Sequence, residues 1–345
     1  MNKKISIVAI VMLVVGIIGT AWSFLYATPS ISDFKAEKEY QASQEYNIFE
    51  EKVDIDKLAI NSYSTNITIK HHNKDSVLVT KRGVTNNLNY SISNKDKTLI
   101  VEEDKNRIYG KEITDIDSMV RTFIDEIFVY EDISIIIYLP NKVDLNLAIG
   151  SGDLNIKDDI FLNEFKLTSD SSFIGDSLPK EIQNLKTLNI KSYSEISMPV
   201  KSIIGIKDIT LTSNSVGIYS NDDEMIIEDV ESKLPENITI LEQDVGEDGR
   251  GEVSIDSQVP VAKNLNIEAP NSQLTLTLPT NKYKFNYNVH SEQRNDINFD
   301  GLEYDEDGNE IKEEKIDING IVDKALENLE TQYNVKANVG YLNKN

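Results

Sequence analysis

The chain has no cysteine, which removes disulfide staples, thiolate zinc sites, iron–sulfur clusters and thiol nucleophiles from consideration. Histidine is nearly as scarce. With only His71, His72 and His290 in 345 residues, a histidine-rich metal site or a His-dependent relay has few possible members. His71 and His72 would also point to opposite faces of an extended strand. Basic residues number 35 against 58 acids, a formal net charge of −23. That balance makes nucleic acid a poor partner, and anionic lipid head groups or polymers are repelled unless divalent cations bridge them. With 39% hydrophobic residues, the chain can still bury a substantial core.

Long apolar runs are limited to one. Ile5 to Leu25 carries no charge, and at about 1.5 Å per residue a helix of that length covers roughly 30 Å, the hydrocarbon thickness of a bilayer. Lys3 and Lys4 precede it, so the positive-inside rule leaves residues 1–4 in the cytoplasm, residues 5–26 as a transmembrane anchor, and the rest outside. A cleaved signal peptide shares the basic start. Its apolar core is usually about 7–15 residues, however, and cleavage after Ala27 would put the bulky Leu25 at the −3 site. Either reading exports the remainder. The expectation is a single-pass protein of the cell membrane, with a polar stalk over 27–44 and its C-terminal domain outside the cytoplasm.

The rest of the chain keeps returning to one pattern: alternating apolar residues, a Ser/Asn/Gly/Asp corner, then another alternating pair. Leu58 and Ile60 precede such a corner and Ile67 and Ile69 follow it. Leu147 and Ile149 lead into Gly150–Asp153, and Leu154 and Ile156 follow. Leu167, Ile190, Leu211 and Ile267 open further rungs, and the starts from 147 to 211 lie 20, 23 and 21 residues apart, a solenoid spacing. Alternation with period two puts one apolar row on one face of each strand. A single rung cannot bury that row, so rungs must stack. The corner residues accept tight turns and hydrogen-bond their own amides. An antiparallel sandwich would also show short alternating strands; the shared register of strand, corner and strand favours an all-β solenoid over 45–299.

Val77–Thr80, Leu88–Ser93 and Thr98–Glu102 read as hairpin strands capping the first rungs. One insertion breaks the β pattern: Ile113, Ile116, Met119, Val120, Phe123, Ile124, Ile127 and Phe128 recur at helical spacing, predicting a helix over 114–129. Over 300–345 the expectation is an acidic hairpin followed by a helix carrying Ile321, Val322, Ala325, Leu326, Leu329 and Tyr333, then a tail.

The strand from Ile133 to Leu139 and Pro140, followed by Val143 to Ile149, the Gly150-Ser151-Gly152-Asp153 corner and Leu154 to Ile156, resembles the LiaG-like "putative adhesin" family. Those bacterial envelope proteins are named for a predicted role. The resemblance covers about Leu58 to Phe299. Only Gly150–Leu154 keeps the family's Ser-Gly-Asp corner well; later corners are Ser-rich. The resemblance implies a right-handed β-solenoid, an N-terminal membrane anchor and an association with envelope stress, and carries over no catalytic residue.

Candidate chemistry is sparse. Asp305–Glu310 looks like a calcium loop but puts Glu310 where glycine is needed and Ile316 where a bidentate glutamate is needed. A turn at Asp307–Gly308 fits better. Gly246–Glu252 has neither a phosphate-loop nor a dinucleotide spacing. Asp153, Asp170 and Glu195 occupy related corners and could align as a glycan-cleaving set, against the bland reading of solvated corner acids. The sequence therefore predicts no catalytic, cofactor-binding or metal-ligating residue. It predicts an interaction module for an envelope polymer or a membrane protein, with a glycan-active β-helix enzyme as the alternative.

Overall fold

The computed structural model describes residues 40, 44–52, 54–63, 65–82, 90–104, 134–140, 143–157, 163–175, 185–220, 230–243, 251–294, 316–321 and 331–342. The N-terminal strands are β1 (Glu45–Glu51), β2 (Lys57–Ser62), β3 (Asn66–His71), β4 (Val77–Arg82), β5 (Tyr90–Lys95), β6 (Thr98–Glu103) and β7 (Ser134–Leu139). Central rungs follow as β8 (Asp144–Ile149) with β9 (Leu154–Ile156), β10 (Glu164–Ser169) with β11 (Phe173–Ile174), and β12 (Thr187–Ser192) with β13 (Glu195–Pro199). A one-turn helix α1 (Val200–Ile203) leads to β14 (Asp208–Ser213) and β15 (Ser215–Tyr219). After α2 (Val230–Lys233) come β16 (Asn237–Glu242), β17 (Gly251–Asp256), the long β18 (Asn264–Thr277), β19 (Lys284–Arg294), β20 (Ile316–Ile321) and β21 (Gln332–Leu342).

The first strands of the rungs stack in parallel, β2–β8–β10–β12–β14–β16–β18, with no register shift. The second strands stack beside them, β11–β13–β15–β17 and the second half of β18. Parallel pairing of every rung with the next is the solenoid arrangement and rules out the antiparallel sandwich. Stacking aligns like residues. Ile60, Leu147, Leu167, Ile190, Leu211, Ile240 and Ile267 form one interior column, each at most 3% exposed. Leu58, Leu145, Phe165, Leu188, Ile209, Ile238 and Leu265 form a second. Burying each such side chain stabilises the stack by about 1.5–3 kcal/mol.

Both ends depart from chain order. The rung β2–β3 does not sit at the end of the stack: β6 and β7 pair in parallel with its outer side, while β8 and β9 pair with its inner side. β5 then closes β6 as a hairpin through Asp96 and Lys97, whose φ angles of 50° and 60° suit a tight turn. β4 and β1 extend the other face antiparallel. The strands expected at Val77–Thr80 and Thr98–Glu102 are β4 and β6, and the one expected at Leu88–Ser93 is described from Tyr90 as β5, but β6 is itself a parallel member of the stack. At the opposite end β21 lies between β18 and β19, and β20 caps β19 antiparallel.

The C-terminal strand corrects the sequence reading. The stack does not end at 299, because Tyr333, Val335, Ala337 and Val339 alternate with period two and are all buried; Tyr333, placed on a helix by its spacing from Leu329, belongs to β21. Val322, Ala325, Leu326 and Leu329 lie outside the described residues, as do the 114–129 helix and the Ile5–Leu25 anchor. Among the described residues no helix is long and apolar enough to cross a membrane.

Candidate functional site

The corner that joins the two strands of each rung is the feature that every repeat shares. Its first residue continues the inward alternation of the preceding strand, so Ser62, Ser169, Ser192 and Ser213 are buried, at 0–6% exposure, rather than solvent-facing. Burying a hydroxyl is favourable only if it is satisfied, and neighbouring strands of the stack satisfy those of Ser62, Ser192 and Ser213. Ser192 Oγ accepts from the Ser194 amide (3.1 Å) and donates to the Ser171 carbonyl of the preceding rung (2.9 Å). Ser213 Oγ repeats this with the Ser215 amide (3.3 Å) and the Ser194 carbonyl (2.9 Å). A hydrogen-bonded serine ladder thus welds rung to rung along one edge.

Ile149 holds the serine position of the β8 rung, and carboxylates take two others. Glu103, only 4% exposed, lies under the first corner and accepts from Ser62 Oγ (2.7 Å), the Tyr63 amide (2.8 Å) and Thr65 Oγ1 (3.1 Å). Glu242 takes the serine position of the β16 rung, opposite Ser213, and accepts from the Asn271 amide (2.9 Å) and Ser272 Oγ (2.9 Å). The Gly150–Asp153 corner packs closest. A Cβ on Gly150 would collide with the Tyr63 carbonyl, and one on Gly152 with the Thr65 carbonyl. The amides of Gly150 and Ser151 donate to Ser62 and Tyr63 carbonyls, both at 2.8 Å. The glycines of that motif therefore serve close approach between rungs.

Outside this ladder the edge is polar with exposed aromatic rings. Tyr63 and Tyr193 each follow a ladder serine and are 37% and 49% exposed, and Lys191 Nζ lies 4.9 Å from the Tyr193 ring centre. Asp153, Asp170 and Glu195 are all exposed, but they do not share one corner position. Asp170 directly follows ladder residue Ser169, whereas Asp153 directly precedes β9 and Glu195 opens β13. Among the described residues no three His, Asp or Glu side chains gather closely enough to hold a metal ion. Asn214, in the corner between β14 and β15, is half-buried. Its Oδ1, and Oε1 of Gln243 on the adjacent rung, are shielded without a hydrogen-bond partner among the described residues.

The histidines are dispersed. His71 ends β3, and His72 Nδ1 lies 2.6 Å from the Ser76 carbonyl with its ring 5.9 Å from that of Tyr138. Tyr138 donates to Glu45 (3.1 Å); burial and that carboxylate push its phenol above the ordinary value. His290 lies in β19. Asp305–Glu310 lies outside the described residues, as do residues 244–250 of the glycine-rich turn.

Sequence reasoning missed Glu103 and the buried serines. The signal was available: Leu99, Val101 and Glu103 alternate, as do Phe165, Leu167 and Ser169, so period two alone assigns the polar member of each series to the inward row. Tyr63 and Tyr193 carried no signal beyond their place beside the corner serines.

The family model described as Toastrack DUF4097 matches residues 55–319. No curated protein matches the chain. Solved structures with some likeness include a "putative cell adhesion protein" from Clostridium sporogenes ATCC 15579, at 9% identity over 87% of this chain and 97% of that one, TM-score 0.24. A "putative lipid binding protein" from Parabacteroides distasonis ATCC 8503 shows 10% identity over 88% and 97%, TM-score 0.42. A "putative adhesin" from Bacteroides fragilis NCTC 9343 shows 11% over 88% and 99%, TM-score 0.31.

Proposed function

The chain belongs to the Toastrack DUF4097 family, and from that premise we propose that it is a non-catalytic interaction module of the cell envelope, anchored by Ile5–Leu25 and displayed outside the cytoplasm. One observation carries this reading: outside the buried serines the corner edge bears the exposed rings of Tyr63 and Tyr193. Tyrosine offers an apolar face and a polar tip to a ligand at low entropic cost. Rungs repeat about every 4.8 Å along that edge, a surface suited to an extended polymer or a membrane protein partner. The corner acids do not support a glycan-cleaving enzyme, because Asp153, Asp170 and Glu195 are exposed and divided between different corner positions. Paired-carboxylate hydrolysis requires two acids fixed on opposite sides of one bond. A link to envelope stress rests on the LiaG-like resemblance of the 133–156 segment.

The test incubates the domain from Lys35 onward with purified cell-wall and capsule polymers. Retention without cleavage is expected, weakened in a Tyr63→Ala/Tyr193→Ala variant. Reducing ends that appear with the wild type and vanish in Asp153→Asn would overturn the reading in favour of an enzyme. For the anchor, Val14→Lys/Val15→Lys should remove the intact chain from the membrane fraction, since each charge at a span's centre costs about 2.5–3.5 kcal/mol. A soluble mature form beginning near Thr28 in wild-type cells would refute anchoring.

A further inference from the structure

β18 and β19 are consecutive in the chain, joined through residues 278–283, yet β21 lies between them. It pairs in parallel with both along nearly its whole length. The two walls therefore form a slot about 9.6 Å wide, twice the interstrand spacing. Both walls fall within the family match at 55–319, and the strand that fills the slot lies beyond it.

The slot is selective for its occupant. Tyr333, Val335, Ala337 and Val339 point inward and are 0–2% exposed. On the outer side Asn334 donates to Asn264 (2.9 Å) and accepts from Asn286 (3.3 Å). It thereby extends an amide row that runs from Asp208 through Asn237 (2.7 Å) to Asn264 (3.1 Å). Lys336 and Asn338 both reach the Glu268 carboxylate, at 3.3 and 3.5 Å. Gly340 passes close to the Pro270 carbonyl, which would stand 2.5 Å from any Cβ there, and Ser291 Oγ donates to the Gly340 carbonyl at 3.1 Å. A one-residue slip would turn the apolar row outward and lose all five of these hydrogen bonds.

We propose that this slot is a binding site for an extended peptide of that pattern, and that segment 332–342 of a second copy of this chain occupies it by strand exchange. No hairpin ties β21 to either wall, so each contact forms equally well with a segment from another copy. The one difference is that the chain's own segment is tethered, which makes its pairing intramolecular and that of a second copy dependent on concentration. An empty slot would expose two unpaired strand edges. A displaced strand is therefore drawn back to a slot, its own or a neighbour's, as in strand complementation and domain swapping.

The absence of native cysteine makes the test clean. Glu268 and Asn338 are directly paired, and the interstrand spacing of about 4.8 Å lies inside the Cα separation that a disulfide accepts. Full-length Glu268→Cys and Asn338→Cys chains are unfolded, mixed, refolded together in detergent and oxidised, with a chain carrying both substitutions as the reference. The double variant should close an internal disulfide at low concentration. The mixed singles should give a 268–338 heterodimer, identified by mass spectrometry, whose yield rises about tenfold or more between about 1 μM and about 1 mM. Closure in the double variant with no heterodimer at any concentration would overturn exchange. Failure of the double variant to close would overturn the slot itself.

Discussion

Leu211→Asp probes the stacking on which the edge depends. Leu211 is fully buried and in register with Ile190 on one side and Ile240 on the other, both also at 0% exposure. Truncating a buried leucine costs about 2–5 kcal/mol, and a carboxylate placed between aliphatic neighbours with no donor adds a desolvation penalty or must take up a proton. The sum is about 4 kcal/mol or more, a large share of an ordinary domain's stability of about 5–15 kcal/mol. Thr212→Asp is the matched control. Thr212 is only partly buried and pairs with Lys191 on β12, so the same new charge should cost about 1 kcal/mol or less. Asn214 is a poorer control than its corner position suggests, since its Oδ1 is shielded without a partner and Asn214→Asp would place charge there. Denaturant midpoints measure the difference. Hydrogen exchange adds its spread: protection in Leu211→Asp should fall first at 187–192 and 237–242, and last at 57–62, because each rung contacts only its neighbours. Equal midpoint shifts for the two variants, or a uniform loss of protection, would refute the stacked register.

Gly150→Ala should destabilise the first rungs by about 1–3 kcal/mol through overpacking against the Tyr63 carbonyl; a thermal midpoint equal to that of wild type would contradict the close approach. Glu103→Leu leaves Ser62 Oγ, the Tyr63 amide and Thr65 Oγ1 without their shared acceptor. Its cost, read from denaturant curves, should be about 3 kcal/mol or more, with Glu103→Gln recovering part of it. Tyr333 supplies a pH prediction. Burial, followed by Glu231 and Tyr283, pushes its phenol from the ordinary 10.0 up to about 12, so the neutral form is favoured in the fold. Its contribution is intact below pH 10 and is lost as pH rises through about 12. Protection of β21 should fall in that window, and Tyr333→Phe should move the loss to higher pH; no movement would assign the alkaline transition to another group.

Alternation along Leu145–Ile149, Leu188–Ile190 and Ile209–Leu211 was enough by itself to place these strands, orient their apolar rows and reveal the rung period. It sufficed because period two and corner composition are local properties, written within a dozen residues. Partner choice is not local. Parallel neighbours have no hairpin to announce them, so nothing near residue 332 says that β21 belongs between β18 and β19, and nothing near 57 says that β2–β3 is an inner rung. The Leu329–Tyr333 spacing suggested a helix at the point where Tyr333–Val339 is a strand, because the slot's two unpaired edges outweigh local preference. Alternation already places the corner serines on the inward row, but only the stack supplies the partners that make burial of the Ser192 and Ser213 hydroxyls tolerable, because their acceptors are carbonyls of the preceding rung.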